Sequence, residues 1–180
     1  MVLGMSMKAF AEGDTTAGNS TTITINNAGN GTFGYVQVIK ADPTADTGWN
    51  FVEGYADDST AAFDEADAQT IIKGMIHAEN PQATEGAPIN DFSTKYAAAL
   101  ASIVNTISTT SSPSPITVTG GAGLYVIKGS ETGFSYNPMA VFVGMDYESG
   151  KPSGVVTSAS VDAKKAPTTI TKEVDDKVVE

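Results

Sequence analysis

The feature that most constrains this chain is a change of hydrophobic period along it. Residues 21–25 (TTITI) alternate and are β-branched, which predicts a strand. Residues 33–40 (FGYVQVIK) predict a second strand, and the intervening NNAGNG (26–31) is a turn cluster, so the two segments suggest a hairpin-like opening. Residues 49–55 are aromatic-rich and predict a short strand or edge segment, with Trp49 as a core plug.

The period then becomes helical. Ala68, Ile72, Met75 and Ile76 fall at i, i+4, i+7 and i+8, on one face of a helix over 64–79. Asp64, Glu65 and Asp67 stand at its start, where they complement the dipole, and Asn80-Pro81 ends it. A second helix is predicted over 91–108, capped by Asn90, with Phe92, Tyr96, Leu100, Ile103 and Ile107 as its stripe. Strand character returns at 116–118, after a Ser/Pro-rich stretch, and Gly120–Gly123 reads as a bend. Residues 124–127 read as a buried strand, Met139, Val141, Val143 and Met145 alternate along another, and 155–161 reads as the last. Strands, then two helices, then strands, imply one β-sandwich with a helical insert over about 64–108, not two domains.

Composition narrows the function classes. The chain has 180 residues, 41% hydrophobic and 17% charged, enough to bury a core. Its net charge of −11 argues against nucleic acid and against an anionic membrane surface, since both need a positive footprint. Cysteine is absent, which removes disulfides, thiolate metal sites and cysteine catalysis. The one histidine, His77, sits at the end of the first predicted helix beside Ile76, a packing or helix-end position and not a catalytic one. Asp57, Asp58, Asp64, Glu65 and Asp67 lack the calcium-loop pattern, and Gly120–Gly123 lacks the Gly-Lys-Ser/Thr of a phosphate loop. No nucleophile–base pair stands out, so the expectation is a non-enzymatic chain without metal or cofactor.

The two ends differ from the middle. Ala9-Phe10-Ala11 fits a signal-peptidase site, so residues 1–11 read as the remnant of an export signal. Residues 12–165 form the expected domain. Ala166-Pro167-Thr168-Thr169 reads as a linker, and 170–180 (ITKEVDDKVVE) as the first strand of a truncated next domain, so that 166–180 lies outside the fold.

Four segments, in this order, carry a resemblance. TITINN with TFGYVQVIKAD, then GWNFVEGY with the acidic-capped helix and FSTKYAAALASIV, then GLYVIKGSETG with PMAVFVGM, and last VDAKKAPTTITKEVDD, resemble the N-terminal domain of sortase-assembled backbone (major) pilins of Gram-positive bacteria. The resemblance covers most of 21–176. It implies a mainly β, immunoglobulin-like (CnaB-like) sandwich with a two-helix insertion. It also implies a structural subunit of a covalently polymerised pilus (fimbria), secreted and anchored to the cell wall. Its partners would be a class C sortase and other pilin subunits joined as a covalent homopolymer.

In that family a lysine in a Tyr-Pro-Lys-Asn motif attacks the acyl-sortase and forms an intersubunit isopeptide bond. The matching stretch here is Asp162-Ala163-Lys164-Lys165, without the tyrosine, proline or asparagine. By its distance from Val161 the acceptor is Lys164, with Lys165 as the alternative. Many domains of the family also hold an internal Lys–Asn isopeptide bond. None is expected here: Lys40 lies on an early strand, residues 155–161 lack asparagine, and Asn137 stands at a strand entry. Lys172 is the candidate for such a bond in the next domain. The alternative function is an adhesin or a glycan- or matrix-binding tip or base pilin, contacting a host surface through Trp49, Phe51 and Tyr55.

Overall fold

The computed structural model describes residues 20–55, 63, 67–79, 92–148 and 151–168. Strand β1 (Thr21–Asn26) buries Thr21, Ile23 and Ile25 and exposes the residues between them, as a period of two requires. A tight turn, with Asn27 and Gly29 at φ of 59° and 55°, leads to β2 (Thr32–Ala41). The short strand β3 (Trp49–Phe51) follows, then helix α1 (Ala68–Glu79). The second predicted helix is divided at Tyr96 into α2 (Phe92–Lys95) and α3 (Ala97–Thr106). The rest is strand: β4 (Ile116–Val118), β5 (Gly123–Ser130), β6 (Phe134–Tyr136), β7 (Met139–Val143), β8 (Met145–Glu148), β9 (Lys151–Val155), β10 (Ser158–Asp162) and β11 (Lys165–Pro167).

These strands form several sheets: β10-β1-β4, β3-β2-β5-β7, and the pairs β8-β9 and β11-β6. The protein is mainly β, and two packed sheets are consistent with a sandwich. Strand β5 explains the layering. Residues 123–127 are buried without interruption, because both faces of the sheet are covered. Leu124 and Val126 face a core shared with α1 and α3, built on Ile71, Ile72, Leu100 and Ile103. Tyr125 and Ile127 face the other core, with Ile23, Ile116 and Val141. The helical insert is therefore the outer layer of the larger sheet: helices, four strands, three strands.

Individual residues set local geometry. Asp67 caps α1, its Oδ1 accepting the Thr70 N–H at 2.8 Å. Of the predicted helix face Ala68, Ile72 and Met75 are buried, with Ile71 beside them; the side chains of Ile76 and His77 lie outside those described. Trp49 is 5% exposed and meets Phe142 edge-on at 5.9 Å, as a core plug should. In β2 a bulge at Val38 separates the Gln37–Tyr125 and Ile39–Leu124 pairs, so Val38 and Ile39 are both buried.

Four expectations are corrected. The opening is not a hairpin: β2 spends both edges on β3 and β5, and β1 instead lies parallel to β10 and antiparallel to β4. The strand expected through Met145 ends at Val143, and Met145 begins β8 after Gly144. The expected last strand (155–161) is two: Val155 closes β9, and β10 starts at Ser158. Ala166 and Pro167, read as linker, pair with Ser135 and Phe134 in β11. The proposed next-domain strand at 170–180, and Asn90, Asp57 and Asp58, lie outside the described residues.

Candidate functional site

The end of β10 and the start of β11 carry the two candidate lysines. The backbone there is held at every step. Ala163 donates its N–H to Asn26 O at 2.9 Å, Asn137 donates its N–H to Lys164 O at 2.9 Å, and Thr168 donates to Gly133 O at 2.9 Å. Side chains in this extended stretch alternate: Ala163 is buried, Lys164 exposed, Lys165 half-buried.

Lys164 lies on the rim of a groove of about 460 Å³ between the helical layer and the β7/β10 edges. Leu100 and Ala101 of α3, Asn137, Met139 and Asp162 line it with Lys164. Asn137 is thus beside Lys164, whereas Lys40 is exposed on β2 in another part of the sheet.

Lys165 is engaged. Its Nζ lies 2.6 Å from Glu131 Oε2, 4.3 Å from the centre of the Phe134 ring and 5.6 Å from that of Tyr136. Glu131 Oε1 accepts the Asn30 N–H at 3.1 Å, and Oε2 also accepts the Tyr136 hydroxyl at 2.6 Å. That hydroxyl lies 2.7 Å from Ala28 O too. The phenol has one proton for these two acceptors, and the charged carboxylate is the stronger of them. The lysine and then the tyrosine hold the Glu131 carboxyl below its ordinary pKa. Glu131 in turn raises that of Lys165. Burial, followed by the carboxylate, raises that of Tyr136.

The structure therefore separates two lysines that the sequence left as alternatives. Glu131 and Tyr136 were not found from the sequence. Glu131 is 34 residues from Lys165, and nothing local marks it as a partner. Lys172 lies outside the described residues. The aromatics considered as a binding platform are packed: Trp49 is buried, and Phe51 and Tyr55 are half-buried against the helical core. Asp67 is a helix cap, and Asp64 and Glu65 lie outside the described residues. Among the described residues no group of three or more His, Cys, Asp or Glu is placed to hold a metal, and no helix is long and apolar enough to cross a membrane. No family model matches the chain, and no curated protein matches it in sequence.

Proposed function

We propose that the chain is a structural subunit of a sortase-assembled surface pilus, secreted and linked to the cell wall, with Lys164 as the amine that joins it to another subunit. In this reading the sandwich is immunoglobulin-like (CnaB-like), and the protein is the substrate of a class C sortase, not itself an enzyme. The observation that carries it is the contrast between neighbours: Lys164 is exposed on a groove, and Lys165 is bound to Glu131.

The chemistry asks little of the domain beyond presentation. The reacting form is the neutral amine. Its Nζ adds to the carbonyl carbon of the acyl-sortase thioester. The C–S bond breaks, an amide N–C bond forms, and the proton released by the amine balances the cysteine thiolate that leaves. An exposed lysine on a backbone fixed by hydrogen bonds suits this, because accessibility and orientation are both provided.

The test is a transfer assay with a cognate class C sortase and a sorting-signal peptide, read by peptide mass spectrometry. The adduct is expected on Lys164, lost in Lys164→Arg and kept in Lys165→Arg. Absence of an adduct on either lysine would sink the proposal. The adhesin alternative has less exposed aromatic surface to draw on, since Trp49 is buried and Phe51 and Tyr55 are half-buried against the helical core.

A further inference from the structure

We infer that Glu131, Tyr136 and Lys165 form a clasp that holds strand β11 in register, turning Lys164 toward the groove and withholding Lys165 from acylation. The role in transfer rests on the pilin reading; the clasp itself does not. Three positioning residues would then decide which of two adjacent lysines reacts.

The clasp adds side-chain anchoring to a strand whose backbone pairing, though regular, is short. The strand has three residues and one partner, β6, also of three, and a two-stranded ribbon is marginal alone. Glu131 compensates by joining three separate pieces of chain. It takes the Asn30 N–H from the β1–β2 turn, the Tyr136 hydroxyl from β6 and the Lys165 ammonium from β11. Phe134 covers the ammonium on another side. With Ala163 buried before it and Lys165 clasped after it, Lys164 is the exposed residue of the three and lines the groove.

The turn has been shaped for this approach. A Cβ at Gly29 would sit 2.2 Å from Lys165 Nζ, and one at Gly31 would sit 2.4 Å from the Tyr136 hydroxyl oxygen. The glycines of NNAGNG therefore serve the clasp as well as the turn.

The experiment uses the full chain, wild type and with Glu131→Gln, Lys165→Met or Lys165→Arg, each checked for unchanged thermal unfolding of the main core. Limiting N-hydroxysuccinimide acetate, read by peptide mass spectrometry, should modify Lys164 about tenfold faster than Lys165 in the wild type. In Glu131→Gln the two rates should converge to within about threefold, and β11 amide exchange should quicken about tenfold. In the sortase assay Glu131→Gln and Lys165→Met should lower kcat for the Lys164 adduct with little change in KM for the peptide donor, and Lys165→Arg should restore it. Equal acetylation of both lysines in the wild type, or β11 exchange unmoved by Glu131→Gln, overturns the clasp. Altered acetylation and exchange with kcat unmoved overturns its positioning role. If acetylation and exchange behave as expected but no variant, nor the wild type, forms a sortase adduct, the clasp stands and the pilin reading fails.

Discussion

Ser114 exchanges two hydrogen bonds with Ile25. Its hydroxyl accepts the Ile25 N–H at 2.8 Å and donates to the Ile25 carbonyl at 3.1 Å. The β1–β4 ladder runs from Thr21–Val118 to Ile23–Ile116, and the same register continued would bring Ser114 opposite Ile25. A side chain thus does the work of a backbone at the end of the strand. Ser114→Ala leaves the N–H and C=O of a buried residue without this partner, and should cost about 1–3 kcal/mol. Urea unfolding would measure it, and a loss under about 0.5 kcal/mol would show that water replaces the hydroxyl.

Gly34 marks a close crossing. The segment after α3 passes over β2, with Thr32 Oγ1 donating to Thr110 O at 3.0 Å, Phe33 N to Ser112 O at 2.8 Å and Lys128 Nζ to Ile107 O at 3.0 Å. A Cβ on Gly34 would lie 2.0 Å from Thr109 O, which is backbone and cannot swing aside. Gly34→Ala should therefore destabilise by about 1–3 kcal/mol, through displacement of the crossing segment. A denaturant midpoint equal to the wild type would mean that the segment shifts at no cost.

Helix α1 supplies a third test. Asp67 takes two hydrogen bonds from Thr70, side chain first and backbone second, and these lower its pKa. A carboxyl with a depressed folded pKa contributes stability above its unfolded value, near pH 4, and the contribution fades as pH falls through the folded value. Asp67→Ala should cost about 0.5–2 kcal/mol at neutral pH, whereas Asp67→Asn should keep most of the cap and lose its acid dependence. Chemical unfolding of the three proteins at pH 7 and pH 3 would compare them. An Asp67→Ala loss equal at both values would rule out the charged cap as its cause.

How far the sequence reaches can be argued from these elements. Ile23 and Ile25 announce β1 by alternation, the apolar run at 124–127 announces a strand covered on both faces, and Ile72, Leu100 and Ile103 announce helical faces. These are local signals, and local signals place elements. Partners are another matter. β1 meets β10 across 136 residues of sequence, and no residue of TTITIN distinguishes that parallel neighbour from the nearer β2. The strand ends at Gly144 and between Val155 and Ser158 are hidden because apolar alternation persists on both sides of them. The site divides in the same way. Lys164 and Lys165 could be picked from the sequence as a pair. Which one is engaged depends on Glu131, brought to β11 by the β5–β6 turn, and no spacing rule reveals it.

The acid response of the exit strand follows from the same carboxylate. Glu131 is held below the ordinary carboxylate range by Lys165 and then by Tyr136, and Lys165 is held above the ordinary lysine value chiefly by Glu131. The contribution of the ion pair is therefore constant between about pH 5 and pH 10. It is lost on the acid side as pH falls through the depressed pKa of Glu131, and on the alkaline side as pH rises through the raised pKa of Lys165. Tyr136, whose pKa is raised, stays a neutral donor throughout that window and does not set its acid limit. A carbon-detected titration of the Glu131 carboxyl should give a midpoint below the ordinary carboxylate value in the wild type, accompanied by a change in the Ala166 amide shift. In Lys165→Met the midpoint should rise toward the ordinary value, because the first cause of the depression has gone. In Tyr136→Phe it should rise by less. A midpoint unmoved by Lys165→Met would mean that the Asn30 and Tyr136 hydrogen bonds hold the carboxylate without the lysine, and that Lys165 is a passenger on β11, not its anchor.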